Sequence, residues 1–217
     1  MGGVGGAVLD LDGVLADTEH LWEESWRACA GARWDGAYTR AMQGMSAPEW
    51  AGYLAARVGR DAAEVRAECV GYVLAALDAG RGPLLPGARE LVTDLAAVVP
   101  LGLASSAARP VIDRILTGNG LDHLFAATVS SEEVARGKPA PDVYAEAVRR
   151  VGFPGDGLAF EDSGNGIRAA AAAGLRVIAI PNRQYPPAAD ALALAEHVAA
   201  DHADARTHAL SLLACEE

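Results

Sequence analysis

The sequence predicts an α/β protein with a parallel sheet and one all-helical insert, and two patterns support this prediction. Short apolar runs of the kind found in buried strands alternate with longer stretches that have Pro near their start and Gly just past their end, as helices do. Strands that alternate with helices of this length indicate βαβ crossovers, which connect parallel strands. The exception to the alternation is residues 16–82, which contain no convincing strand.

The elements of the core follow from these runs in chain order. The predicted strands are residues 6–11, 101–105, 126–129, 158–160 and 177–180. The helices between them are predicted over residues 88–99, 110–117, 141–151 and 166–173. Because parallel strands end at one edge of the sheet, the polar residues that follow these runs are expected to meet there.

The insert is predicted to contain helices over residues 19–30, 37–43, 48–58 and 62–79. It directly follows the first strand, so we expect it above the carboxyl ends of the strands, where open α/β sheets bind ligands. This position makes it a candidate lid. Its tryptophans are expected to form a small core of their own, with one of them as a candidate to face the substrate: Trp22, Trp26, Trp34 and Trp50.

Composition and charge exclude several classes of function. The 217 residues carry a net charge of −11 and no cluster of Lys and Arg, which argues against a nucleic-acid surface. Cys29, Cys69 and Cys215 are widely spaced and odd in number, so neither a disulfide framework nor a zinc site is expected. With no secretory signal and no apolar run of the roughly 18–20 residues that span a bilayer, we expect a cytoplasmic protein without a membrane partner.

Two carboxylates follow the first predicted strand, in the segment DLDGVLADTE. Asp10 and Asp12 are two residues apart, so strand alternation points both side chains the same way. One can attack phosphorus as a nucleophile while the other delivers a proton to the leaving oxygen. Gly13 allows the chain to turn sharply after them. The alternative is a solvated turn at the end of a strand.

Hydroxyl and ammonium groups follow two later strands. Ser105 and Ser106 end the run LGLASS, where their hydroxyls can donate to a phosphate oxygen or, alternatively, cap the next helix. Lys138, in GKPAPDVY, is the only lysine beside 17 arginines, which is unusual for a residue that serves solvation alone. Its ammonium can neutralise a phosphoryl group and orient the nucleophile.

Adjacent acids end the fourth predicted strand, in LAFEDSGNGI. Glu161 and Asp162, together with Asp10, offer the hard oxygen ligands that Mg2+ prefers. Capping of the next helix by Asp162 is the alternative, and the two roles are compatible.

These four segments, with Asp10, Ser105, Lys138 and Asp162 in this order at strand ends, resemble the haloacid dehalogenase superfamily. The form DLDGVLADTE and the helical insert resemble the branch that contains phosphoglycolate phosphatase, β-phosphoglucomutase and the sugar-phosphate phosphatases. The resemblance implies a doubly wound, Rossmann-like parallel sheet core over residues 1–15 and 84–217, with an all-helical cap over residues 16–83.

The same resemblance implies a role for each motif residue. Asp10 would be the nucleophile and Asp12 the general acid and base, with its carbonyl on Mg2+. Ser105, with Ser106 beside it, and Lys138 would hold the phosphoryl group. The metal site would be completed by Asp162, with Glu161 as a further candidate ligand. The implied function is a Mg2+-dependent phosphatase for a small phosphorylated metabolite, acting through an aspartyl phosphate.

The cap leaves two alternatives open. β-Phosphoglucomutase resembles this chain, but its cap has a His where we align Trp22 and a Lys–Gly pair where this chain has Gln43 and Gly44. These three positions are therefore candidate specificity residues, and the differences favour hydrolysis over mutation of the phosphate position. The second alternative is a catalytically idle family member that serves as a binding or regulatory module.

Overall fold

The structure, a computed structural model, describes residues 4–42, 44–153, 156–183 and 185–214. In this part of the chain, six parallel strands form one sheet in the order β3-β2-β1-β4-β5-β6. The strands are β1 (Gly6–Leu9), β2 (Leu101–Ser105), β3 (Phe125–Ser130), β4 (Gly157–Glu161), β5 (Arg176–Ala179) and β6 (His197–Val198). The prediction of a doubly wound parallel α/β sheet is confirmed.

Helices account for most of the remaining described residues. Those between β1 and β2 are α1 (Glu19–Ala30), α2 (Ala37–Met42), α3 (Ala47–Val58), α4 (Ala62–Asp78) and α5 (Ala88–Ala96). Those that follow β2 are α6 (Arg109–Gly118), α7 (Asp142–Val151), α8 (Gly164–Ala172), α9 (Ala189–Leu192) and α10 (His202–Ala214). The elements β6, α9 and α10 were not predicted. A two-residue strand and a four-residue helix are too short to show a period, and the 13 residues of α10 have little amphipathic periodicity.

The order of the strands places a crevice beside β1. The chain runs from β1 outward to β3 and then returns to β4, which pairs with the other side of β1. Ligands of doubly wound sheets bind at such a reversal, outside the carboxyl ends of the strands. The pairing of Leu9 with Phe160, and the hydrogen bond of 3.0 Å from Asp10 N to Phe160 O, bring Asp10 level with the end of β4.

Alternation along the strands builds a core on each face of the sheet. Leu9, Leu103 and Phe160 are buried on one face, and Val8 and Ala104 are buried on the other. Apolar positions on both faces are the pattern of strands that helices cover on two sides. The packed sheet therefore fixes the strand ends relative to one another. A site built from side chains at several strand ends depends on these fixed positions.

Helices α1–α4 lie between β1 and α5, and the two chain segments that connect them to the sheet run side by side. Asp17 N donates to Pro83 O at 3.0 Å, and Leu85 N donates to Leu15 O at 2.9 Å. The buried apolar residues of these four helices are continuous with the core on one face of the sheet. Among the described residues, none of the helices is both long and apolar enough to cross a membrane.

Candidate active site

A cavity of about 710 Å3, including the part that opens to solvent, lies between the carboxyl ends of the strands and helices α1–α3. Most proteins bind small molecules in clefts of this size. Its core side is lined by Asp10, Asp12, Ser106, Ala107, Lys138, Asp162 and Ser163. Its opposite side is lined by Glu19, Trp22, Glu23, Trp26, Thr39, Met42, Gly44, Met45 and Trp50, and Tyr185 completes it.

Lys138 is buried in the floor of this cavity, with 5% of its surface exposed. Its Nζ donates to Asp10 Oδ1 at 2.7 Å and to Glu161 Oε1 at 2.5 Å. Burial lowers the pKa of the ammonium, but the charges of Asp10 and Glu161 outweigh it and raise the pKa above its usual value. The sole lysine is therefore a charged group fixed beside the first carboxylate of the DLD motif, and not a surface residue.

Glu161 is held by hydrogen bonds on both oxygens. Oε1 accepts from Lys138 and from the Tyr144 hydroxyl at 2.8 Å. Oε2 accepts from the backbone N–H of Asp162, the backbone N–H of Ser163 and the Ser163 hydroxyl, each at 3.1 Å. A carboxylate oxygen has about two lone-pair positions, so these donors occupy the acceptor capacity of Glu161.

Asp162 differs from Glu161 because one of its oxygens has no donor. Oδ2 accepts from Asn182 Nδ2 at 3.3 Å, whereas Oδ1 is buried without a hydrogen-bond partner among the described residues. Asp10, Glu161 and Asp162 each place a carboxylate oxygen within 4.8 Å of the others. Buried polar atoms are ordinarily satisfied, so the free Oδ1 marks the position of a missing partner.

The electrostatics of this acidic cluster fit a divalent cation. Burial raises the pKa of Asp10 to about 8, with Lys138 opposing the shift and Glu161 and Asp12 adding to it. Burial likewise raises the pKa of Asp162 well above its usual value, and the charges of Glu19 and Glu161 add to the effect. Carboxylates crowded in this way need a further positive charge to stay ionised, and hard oxygen ligands suit a divalent metal ion.

Asp12 faces helix α1 and the turn before it. The hydroxyl of Thr18 and the indole of Trp22 both donate to its Oδ1, the latter from Nε1 at 3.1 Å. Burial raises the pKa of Asp12, and these two hydrogen bonds oppose the shift. A carboxyl with a raised pKa exchanges its proton more readily near neutral pH than an exposed one.

The structure differs from the expectation at the two serines. Ser105 does not line the cavity, because its Oγ turns back to accept the backbone N–H of Ala107 at 3.0 Å. Ser106 does line it, and its hydroxyl is buried with no partner among the described residues. Ser106 therefore offers a hydroxyl without a partner at the cavity, while the Ser105 hydroxyl, which accepts from Ala107 N–H, keeps its own O–H as a donor.

Two acids that the sequence interpretation did not single out, Glu19 and Glu23, also line the cavity. They lie with the predicted Trp22 and with Trp26 on one face of α1, at the helical spacing i, i+3, i+4 and i+7. Asn182 Nδ2 donates to Glu19 Oε2, and the Tyr185 hydroxyl donates to Glu23 Oε2 at 3.0 Å. The spacing on α1 was visible in the sequence, whereas nothing in the sequence indicated Asn182, Tyr185 or the buried Tyr144.

Of the three candidate specificity positions, two are in the cavity. Trp22 and Gly44 line it, and Gln43 lies outside the described residues. Trp22 and Trp26 each pack against Trp50, at ring-centroid distances of 5.6 and 6.0 Å. These three indoles line the side of the cavity opposite the acidic cluster, while Trp34 packs against Tyr38 at 5.8 Å.

Comparison with known proteins places this arrangement in a family. Residues 4–174 match the haloacid dehalogenase-like hydrolases. The chain is 33% identical over 196 residues to the validoxylamine A 7'-phosphate phosphatase of Streptomyces hygroscopicus subsp. limoneus, covering 88% of this chain and 89% of that protein. It is 29% identical to the fructose-1-phosphate phosphatase YqaB of Escherichia coli, covering 80% and 94%.

A solved structure is similar over nearly the whole chain. CbbY of Rhodobacter sphaeroides in complex with phosphate is 25% identical and superposes with a TM-score of 0.78, covering 93% of this chain and 96% of that one. The matched residues include the segments that carry Asp10, Lys138 and Asp162. The chain belongs to the haloacid dehalogenase-like hydrolases.

Proposed function

We propose that the protein is a phosphoric monoester hydrolase that removes the phosphate of a small phosphorylated metabolite with the help of Mg2+. The observation that carries the proposal is the environment of Asp10, a buried carboxylate held by Lys138 beside the free Oδ1 of Asp162. The phosphatases of Streptomyces hygroscopicus subsp. limoneus and Escherichia coli, whose names give phosphorylated small molecules, support the substrate class.

The first step transfers the phosphoryl group to Asp10. The hydrogen bond from Lys138 to Oδ1 orients the carboxylate, and its other oxygen attacks phosphorus. An O–P bond to Asp10 forms while the ester P–O bond breaks, and protonated Asp12 gives its proton to the leaving alkoxide. The Ser106 hydroxyl donates to a phosphoryl oxygen, which gives its buried oxygen the partner that it lacks.

The second step releases phosphate. Asp12, now a carboxylate, takes a proton from water, and the water oxygen attacks phosphorus as the bond to Asp10 breaks. Asp10, Asp162 and the backbone carbonyl of Asp12 would hold Mg2+, which when bound would neutralise charge on the phosphoryl group. Because the donors around Glu161 occupy its oxygens, we assign it to positioning Lys138 and the loop of Asp162 rather than to the metal.

The proposal includes a two-part organisation and a location. Residues 1–15 and 84–217 form the catalytic core, and residues 16–83 form a cap that excludes water from the transferring group. The hinge consists of the two connecting segments that pair with each other, residues 15–17 and 83–85. We place the protein in the cytoplasm, where its buried thiols Cys29 and Cys69 stay reduced.

Phosphate release by the purified protein tests the proposal. With Mg2+ we expect hydrolysis of 4-nitrophenyl phosphate and of members of a sugar-phosphate panel, loss of activity in EDTA, and recovery when Mg2+ is restored. Asp10→Asn removes the nucleophile and should reduce turnover to background, whereas Asp113→Asn, on the exposed face of α6, should keep full activity. Turnover by Asp10→Asn, or full activity in EDTA, would contradict the mechanism.

The same assay distinguishes a phosphomutase. Given β-glucose 1-phosphate and a bisphosphate primer, the protein should release phosphate and should not accumulate glucose 6-phosphate. Efficient isomerisation would instead show that the protein is a phosphomutase.

A further inference from the structure

Helices α1–α3 line the cavity opposite the core groups proposed to hold the phosphoryl group, so the leaving group of a substrate would meet this wall. One face of α1 presents Glu19, Trp22, Glu23 and Trp26 in succession. Trp22 and Trp26 continue onto Trp50, so flat apolar rings stand beside two carboxyl groups. Rings of this kind pack against the C–H face of a carbon skeleton, and carboxylates accept hydrogen bonds from hydroxyl or ammonium groups.

The charge of the cavity is strongly unbalanced. Among the described residues that line it, five carry carboxyl groups, and the only one with a cationic side chain is Lys138. Its ammonium already bonds to Asp10 and Glu161 at the phosphoryl end. Among the described lining residues, Glu19 and Glu23 therefore have no cationic side chain inside the cavity.

None of the described arginines lines the cavity. Arg27 pairs with Glu23 from the outside of α1, with 62% of its own side chain exposed. Arg57 stacks on Tyr53, 3.2 Å from the ring centroid, and Arg66 pairs with Glu132. Arg40 is exposed and lines an open groove that shares Glu23, Thr39 and Tyr185 with the cavity, but it is not among the residues that line the cavity itself. Residue 43, at the position where the resemblance gives the mutase a lysine, is an uncharged Gln by sequence.

The two carboxyl groups are held in place by the core. Asn182 binds Glu19 and Tyr185 binds Glu23, and both donors come from the loop that follows β5. Burial, with the charge of Asp12 adding to it, raises the pKa of Glu19 to about 7, so in assays above that pH a second anionic group on a substrate would meet two fixed, ionised acids. Contact between like charges inside a cavity weakens binding.

We infer that the substrate carries a single phosphate on an uncharged or cationic, hydroxyl-bearing leaving group, and that Glu19 and Glu23 reject leaving groups with a second anionic group. This inference rests on the proposed phosphatase function. It assigns specificity to a face of α1 and not to the residues that perform the chemistry.

Three aryl phosphates of nearly equal size test the inference. They are 4-(hydroxymethyl)phenyl, 4-(aminomethyl)phenyl and 4-(carboxymethyl)phenyl phosphate, in which a methylene group limits the effect of the substituent on the leaving phenol. We expect kcat/KM to be at least roughly ten-fold lower for the anionic probe than for the neutral one, with the cationic probe equal to or better than neutral. Equal turnover of the anionic and neutral probes would overturn the inference. Failure to hydrolyse any probe, or 4-nitrophenyl phosphate, would instead contradict the proposed function.

Substitutions in α1 test whether Glu19 and Glu23 cause the discrimination against the anionic probe. Glu23→Gln keeps an acceptor for Tyr185 and should raise kcat/KM for the anionic probe relative to the neutral one by several-fold, and Glu19→Gln should do the same. Glu24→Gln is the matched control, since Glu24 on the same helix bonds to Tyr72 and Arg81 away from the cavity, and it should leave the ratio unchanged. An unchanged ratio in both the Glu19 and Glu23 variants would refute the assignment.

Discussion

The two walls of the cavity are built in different ways. On the core wall, Lys138 and Glu161 are buried and joined by hydrogen bonds to Asp10, Tyr144 and the start of α8. On the α1 wall, three indoles pack on one another, and two carboxyl groups are held by single donors from the core. The core wall holds a fixed chemistry, whereas the α1 wall, apart from the hydrogen bond of Trp22 to Asp12, presents a surface that can change without disturbing the core wall.

The difference has an energetic origin. Removal of one partner from a buried ion pair leaves an uncompensated charge and costs about 3–5 kcal/mol. The core wall is a network of such pairs, so its residues affect stability and activity together. Replacement of an aromatic ring on the α1 wall mainly changes contact area, and its effects should divide more cleanly between binding and chemistry.

The largest expected effect separates two neighbouring acids of the core wall. Glu161→Gln removes the partner of Lys138 and puts an amide against backbone donors, so we expect a loss of about 3 kcal/mol in the free energy of unfolding. Its activity should fall by roughly 100-fold or more, and added Mg2+ should not restore it. Asp162→Asn weakens a proposed metal ligand, so raising Mg2+ should restore much of its activity.

Mg2+ titrations of phosphate release, combined with urea unfolding, measure both variants. If Glu161 is a positioning residue, the activity of Glu161→Gln should stay low at every Mg2+ concentration. Recovery of Glu161→Gln at high Mg2+, with normal stability, would instead make Glu161 a metal ligand.

The next effect concerns a close approach of backbone to the core wall. A Cβ at Gly166 would overlap the carboxylate of Glu161, closer than any van der Waals contact, whereas at Gly164 it would meet Arg168 Nη1 at 3.2 Å. Gly166→Ala should therefore cost about 1–3 kcal/mol in the free energy of unfolding and lower kcat by displacing Glu161. Gly164→Ala should change both quantities little, since a flexible side chain can move away. Thermal unfolding and kcat are measured for both variants. Equal stability and equal kcat would show that α8 shifts to accommodate the extra methyl group at residue 166.

Strand ends explain how much of the site could be predicted from sequence. Asp10 and Asp162 lie far apart in the chain, but they directly follow β1 and β4, and a parallel sheet brings the carboxyl ends of its strands together. Lys138 comes eight residues after β3, so the loop before α7 also positions it. The serines show the limit, because the direction of a side chain in a turn depends on one hydrogen bond, here from Ala107 N to Ser105 Oγ. The sequence indicated both serines, but it could not indicate that only Ser106 of the two would line the cavity.

The α1 wall was less predictable, for a related reason. The spacing of Glu19, Trp22, Glu23 and Trp26 defines a helix face, but no local pattern states which partner that face meets. The expectation that the tryptophans would form a small core of their own was incomplete, because Trp22 and Trp26 also line the cavity, and the buried cluster continues into the sheet. The contacts of Asn182 and Tyr185 with α1 join residues about 160 positions apart, which only the assembled fold brings together.

The smallest expected effect tests the one hydrogen bond that joins the two walls at the proposed general acid. Trp22 Nε1 donates to Asp12 Oδ1, whereas Trp26 Nε1 is buried without a partner among the described residues. Trp22→Phe therefore removes a donor from Asp12, and Trp26→Phe removes an indole N–H that bonds to nothing described. Both rings line the cavity, so either variant can change KM through lost contact area.

The leaving group distinguishes these two effects. An alkyl phosphate needs a proton on its leaving oxygen, while 4-nitrophenolate leaves without one, so a misplaced general acid slows phosphoryl transfer only for the former. The second step, in which Asp12 acts as a base, is common to both substrates, so the comparison uses kcat/KM, which reports the first step. We expect Trp22→Phe to lower kcat/KM for an alkyl phosphate roughly ten-fold more than kcat/KM for 4-nitrophenyl phosphate. Trp26→Phe should move both substrates by the same factor. If Trp22→Phe also slows both substrates equally, the indole serves only as part of the α1 wall, and the chemistry of Asp12 is independent of it.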